Sequence, residues 1–344
     1  MASIILHSFR LIKISNRIIL LIFLLSTAGT AFSLTNQQRT LSGSVVDCIL
    51  SNQYEKAFST INQSDTTGKD PLPFLLKMAV IGMRDVDFEK IIDSTLFLET
   101  YEKTEQMVEA WENENGLSSY SRMLAGMCRA IHATFYLRQK KYFGALQHGL
   151  DAIKIMKEAQ ELDSLNTEVD FFLGLYEYAR AELRAKLWWV LFWYGGNREA
   201  GIQRIKRCAE HAVITGKAAR LSLCDIYLKE KDPALSEKNI TILKTQFPES
   251  RFVLWSEVKY FEEKSLFTKA ASAYHQLSRQ YAAEKYGTYN ELFSLQKMAE
   301  MLVKADDKKQ AKSVCEKVLN HKNINDFKKI KKETKNILEH CNAS

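Results

Sequence analysis

Proline and glycine are scarce in this sequence. Four prolines and 14 glycines among 344 residues leave little turn material for a β-fold. Pro71, Pro73, Pro233 and Pro248 all stand where the apolar periodicity puts helix ends, the positions at which proline is tolerated. The chain therefore reads as all-α. The motifs of common chemistry are also missing. No C-x-x-C pair occurs, which removes the usual zinc and dithiol signatures. No H-E-x-x-H and no G-x-S-x-G is present. Ile214-Thr215-Gly216-Lys217 ends like a phosphate loop but lacks the upstream glycine and a preceding strand, so a turn between helices is expected there. Histidines 132, 148, 211, 275, 321 and 340 are scattered, and each is expected as a packed or surface residue. Neither an enzyme activity nor a cofactor or metal is expected.

The first 33 residues differ from the rest. Basic Arg10, Lys13 and Arg17 precede the apolar run Ile18 to Leu25, and small residues follow through Ser33. That order is the pattern of a signal peptide, so export to a periplasm or the outside is expected. The 48 Lys and Arg lose these three with the leader, leaving 45 against 41 Asp and Glu. A balance so near zero gives no reason to invoke nucleic acid, which asks for a clustered basic face. The run Lys328-Lys329-Ile330-Lys331-Lys332 is expected as the solvated side of a last helix. Six cysteines, at 48, 128, 208, 224, 315 and 341, fall in the exported part. Their wide spacing is not that of a small disulfide-stapled domain, and most are expected in the core.

Two regions follow the leader, 34–116 and 117–344. In the first, Leu34 to Leu41 reads as a polar leader, and Tyr54 with Ala57 opens a helix after an Asn-Gln turn. Residues 62 to 73 form a loop. A helix is expected over Phe74–Met83, and Asp85 is expected to cap another through Phe88, Ile91, Ile92 and Leu96. Gly116 suits the left-handed end of a long helix. In the second region, helix pairs recur. Tyr142, Arg198, Pro233, Phe267 and Lys308 stand at equivalent positions, and the last three intervals are 35, 34 and 41 residues. Small residues fall at fixed places in this frame. Ala133, Cys224, Val258 and Ala299 mark the first helix of a pair, and Gly201, Ser236, Ala270 and Ala311 the second. Paired helices approach to about 8–10 Å, which favours small side chains there.

With Tyr54-x-x-Ala57, Tyr142-x-x-Ala145 and the aromatics Tyr136, Tyr227 and Phe261, this pattern resembles the tetratricopeptide repeat. The run Leu173-Gly174 to Trp189, then Gly195-Gly196-Asn197-Arg198 with Gly201, resembles the inclusion-body-clearance tetratricopeptide family, with Asn197 and Ile202 where that family has Asp and Leu. The export signal points to a bacterial exported relative. The resemblance implies antiparallel helix pairs stacked as a right-handed superhelix, which binds a protein or peptide on its concave face. The groove positions of the repeat fall on Arg138, on Asp225 and Lys229, on Trp255, Lys259 and Glu262, and on Glu300 and Lys304. The aromatic run Trp188–Tyr194 is far shorter than the ~20 residues of a spanning helix. Core packing, a protein partner and peripheral contact with a membrane surface are its three readings. Cys208 and Cys224 flank Gly216 at equal distance, so a turn there is expected to bring them close.

Overall fold

Six residues with left-handed backbone angles set the plan of the molecule. Asn52, Glu89, Lys140, Lys231, Ser265 and Asp306 have φ between 50° and 62°, and none is glycine. In each case the following N–H reaches back five residues to a carbonyl: Gln53 to Cys48, Lys90 to Asp85, Lys141 to Tyr136, Asp232 to Tyr227, Leu266 to Phe261 and Asp307 to Leu302, at 2.8–3.1 Å. This is the Schellman closure of a helix end. Each turn sends the chain back along the helix it has just left.

The computed structural model describes residues 34–64, 69–186 and 195–343. The signal-like leader and the Trp188–Tyr194 run lie outside the described residues. Among those described, fifteen α-helices and no strand occur. They form seven antiparallel pairs: α1 (Asn36–Leu50) with α2 (Tyr54–Ser64), α3 (Leu72–Asp87) with α4 (Ser94–Asn115), α5 (Ser119–Arg138) with α6 (Tyr142–Leu162), α7 (Asp170–Lys186) with α8 (Arg198–His211), α9 (Gly216–Lys229) with α10 (Pro233–Gln246), α11 (Arg251–Glu263) with α12 (Phe267–Ala282), and α13 (Thr288–Lys304) with α14 (Lys308–Leu319). A last helix, α15 (Lys328–Asn342), covers the end of the stack. The helical-repeat fold class is therefore as expected, and Tyr54, Tyr142, Arg198, Pro233, Phe267 and Lys308 each begin a second helix.

Two local expectations need correction. The segment Leu34 to Leu41 is mostly helix, because Thr35 and Gln38 form a reciprocal capping box that starts α1 at Asn36. Asp85 caps no following helix. The left-handed turn falls at Glu89, so α3 runs on through Asp85 to Asp87, and Asp93 caps α4 through Leu96 N–H. Between Tyr54 and Tyr142, where the sequence shows no clear repeat, α3 and α4 make a full pair.

Most of the small positions do what close approach requires, Ala133 being only half-buried. Cys224, Val258, Ala299, Ser236, Ala270 and Ala311 are wholly buried. α7 crosses α8 closely. A Cβ on Gly201 would lie 2.8 Å from Gly174 O and from Tyr178 N, so only glycine allows that contact. The cysteines are free. Cys208 packs with Tyr178, Ile205 and Ala219, whereas Cys224 packs with Leu243, Val253 and Tyr260 on the opposite side of α9.

The stack also meets itself. Arg251, at the start of α11, is buried against Asp87 at the end of α3, with Nη2 2.5 Å from Oδ2 and Nε 3.0 Å from it. Tyr54 OH at 2.8 Å and Tyr281 OH at 2.9 Å donate to the same carboxylate, and Asn290 Nδ2 donates to Asp87 O at 2.7 Å. Phe88 stacks edge-on against Tyr54, Tyr281 and Tyr286. Asn52 and Lys217 add contacts to Glu249 O and Asp47. The first two pairs are thus tied to α11, α12 and α13, and one apolar cluster runs from Leu41 to Ile330.

Candidate functional site

The first helices of the N-terminal pairs stand around a space they do not fill. A cavity of about 260 Å³ is walled by α1, α3, α5, the start of α7 and the start of α9. Apart from Lys77, the start of α3, LPFLLKMAVIGM, is apolar throughout, the mark of a helix with two buried faces. Leu72, Met78 and Ile81 fill the core, while Ala79, Gly82, Met83 and Val86, spaced i, i+3, i+4 and i+7, turn to the cavity and are only half-buried. On α5 the same spacing recurs in Met127, Ala130, Ile131 and Thr134. Small side chains on facing helices leave the volume open.

Few polar groups line this wall. Thr134 Oγ1 is bound to Ala130 O, and Thr215 Oγ1 to Glu168. Asp85 is buried, and its Oδ1 accepts from Ile92 N–H at 3.0 Å. Its Oδ2 has no hydrogen-bond partner among the described residues, and neither has Arg138 Nε. Burial pushes the Asp85 carboxyl up from its ordinary value, more than the Ile92 N–H and the nearby Arg84 and Arg138 lower it. The Arg138 Nη2 pairs with Glu89 at 3.3 Å.

Behind the wall lies His132, stacked among Tyr101, Phe135, Tyr136 and His148, with ring centroids 4.4 Å from His148. Neither of its nitrogens has a partner among the described residues, and burial lowers its pKa to about 4. It is a packed neutral histidine, and the pairing with His148, sixteen residues on, is invisible to a search at helical spacing. No group of three metal-binding side chains occurs among the described residues. At Ile214–Gly216 the turn expectation holds: the N–H groups of Val213, Ile214 and Thr215 are taken up by the Glu168 carboxylate at 2.6–3.2 Å. The chain itself supplies the anion at the start of α9.

Of the groove residues read from the repeat, only Arg138 lines the cavity. The others lie along α9, α11 and α13. Asp225 on α9 and Lys259 on α11 form a rung at 2.5 Å. Lys229 and Lys304 are exposed, and Glu300 holds Lys304 at 2.8 Å and Lys297 at 2.6 Å. Glu262 accepts from Tyr274 OH. Trp255 is half-buried, donates to Tyr281 OH at 2.9 Å and packs on Tyr274 and Phe293. It fills the C-terminal interior.

No protein-family model matches the sequence, and no curated protein matches it. Among solved structures, the chain is similar to the C-terminal part of a TPR repeat-containing protein from Cytophaga hutchinsonii, at 14% identity over 82% of this chain and 97% of that one, with a TM-score of 0.41. The helical-repeat assignment rests on the six repeated turns and seven helix pairs.

Proposed function

We propose that the protein is an exported, non-enzymatic helical-repeat scaffold of the tetratricopeptide kind, a bacterial relative of the inclusion-body-clearance group, and that it binds a protein or peptide along the first helices of its C-terminal pairs. The observation that carries this reading is the row on α9, α11 and α13. There Lys229, Lys259 and Lys304 remain exposed, the last two beside carboxylates, and the Asp225–Lys259 rung joins neighbouring first helices. Extended faces of stacked first helices are the usual recognition surface of repeat scaffolds. Exposed ion pairs are worth little to stability and exchange readily for a partner's charges. Because Trp255 is committed to Tyr281, the lysines are the better probes.

The test is a photo-crosslinking residue placed at Lys229, Lys259 or Lys312 in the native host; Lys312 lies exposed on the second helix α14. A common partner captured from Lys229 and Lys259 and not from Lys312 is expected. Equal capture from all three, or none, would remove the first-helix row as the binding face. Peripheral contact with a membrane surface is a second reading. Tyr142, Phe143, Leu146 and Leu150 on α6 favour it, as they are exposed on one helix with Phe143 82% accessible. None of the described helices is long and apolar enough to cross a membrane.

A further inference from the structure

The inner cavity of the N-terminal pairs has no part in that reading, and its wall specifies a different kind of guest. We propose that it binds a single-chain amphiphile: one alkyl chain carrying a small head that both donates and accepts a hydrogen bond, as a fatty acid does. Three features lead there. First, the space is apolar and reached from solvent, since Ala79, Ala130, Ile131, Ala218 and Leu221 on its wall are each only partly buried. Apolar cavities of this kind hold apolar guests in preference to water.

Second, two residues of the wall, Asp85 and Arg138, each hold a buried polar atom without a partner among the described residues, the acceptor Oδ2 and the donor Nε. Asp85 is 2% exposed, and a buried oxygen without a partner costs free energy that a ligand donor would recover. A protonated carboxyl head offers a partner to each atom. Its O–H donates to Asp85 Oδ2, and its C=O accepts from Arg138 Nε.

Third, the scarcity of wall partners argues against a peptide backbone. Each residue of an inserted strand or turn brings an N–H and a C=O into the cavity, and each needs a partner. Thr134 and Thr215 are already occupied, so a peptide would strand several such groups. An alkyl chain brings none beyond its head.

Binding is measured with the full chain by titrating cis-parinaric acid, whose fluorescence rises in an apolar site, and then displacing it with dodecanoic acid. Saturable one-to-one binding is expected. Ala130→Phe puts a ring into the space and is expected to weaken it at least about tenfold with helix content unchanged; Ala79→Leu serves if that variant does not fold. Arg138→Met, which removes the donor and keeps the stem, is expected to weaken it about tenfold. Lys259→Ala is expected to change nothing here, which separates this site from the crosslinking row. Binding unaltered by cavity filling would overturn the proposal. So would absence of saturable binding, or displacement by an apolar peptide and not by dodecanoic acid.

Discussion

The N-terminal and C-terminal halves are built from the same helix pair and the same left-handed turn, yet the first helices of one surround an apolar space and those of the other pack aromatic rings between them. Around the N-terminal pairs Ala79, Gly82 and Ala130, joined by Ala218 from α9, face inward and the interior stays open. In the C-terminal half Trp255, Tyr274, Tyr281 and Phe293 pack ring against ring, with Trp255 and Tyr281 hydrogen-bonded. Backbone geometry sets where helices stand, and side-chain volume decides whether anything is left between them. The two halves are not independent, because Asp87 and Arg251 join them from opposite ends of the stack.

The largest expected effect comes from cutting that joint. Arg251→Met strands Asp87 as a buried charge whose remaining partners are the Tyr54 and Tyr281 hydroxyls, and should cost about 3–5 kcal/mol in urea unfolding. The double variant with Asp87→Leu should recover much of that loss, since no uncompensated charge remains. If Arg251→Met costs under about 1 kcal/mol, the halves are held by other contacts. A smaller effect should separate the halves by pH. His132 sits behind the cavity wall with its pKa lowered to about 4, against about 6.5 for an exposed histidine. The folded state binds this proton less readily than the unfolded chain, so the histidine's contribution is complete above about pH 6.5 and is lost as pH falls toward 4. At pH 5 the loss is about 2 kcal/mol, and His132→Phe should flatten the profile over this range. An unchanged profile in that variant would place the acid sensitivity elsewhere.

The second helices were legible because their first residues recur: Tyr142, Arg198, Pro233, Phe267 and Lys308 each begin one. Small residues at the crossings announced themselves for the same reason. The turns were harder, because the left-handed positions are filled by Asn52, Glu89, Lys140, Lys231, Ser265 and Asp306, and a search for glycine passes over all six. Without the left-handed turn at Glu89, periodicity ends α3 at Met83 and makes Asp85 a cap. The groove positions were carried over from the repeat pattern, which fixes the side of the helix and not what fills the space beyond it. The repeat pattern makes Trp255 an open anchor, whereas it is half-buried and hydrogen-bonded to Tyr281. The cavity was written in the second apolar stripe of α3 and α5, which periodicity alone cannot tell from ordinary core.

Xenon binding followed by methyl NMR tests the contrast between the halves most directly, since xenon enters dry apolar cavities and leaves packed interiors alone. The methyl groups of Leu75, Leu76, Met127 and Ile131, which wall the cavity, should shift with xenon pressure. Those of Val258, Leu277 and Leu295, buried in the C-terminal half, should hold still. Shifts of equal size in both sets, or none in the first, would contradict the account.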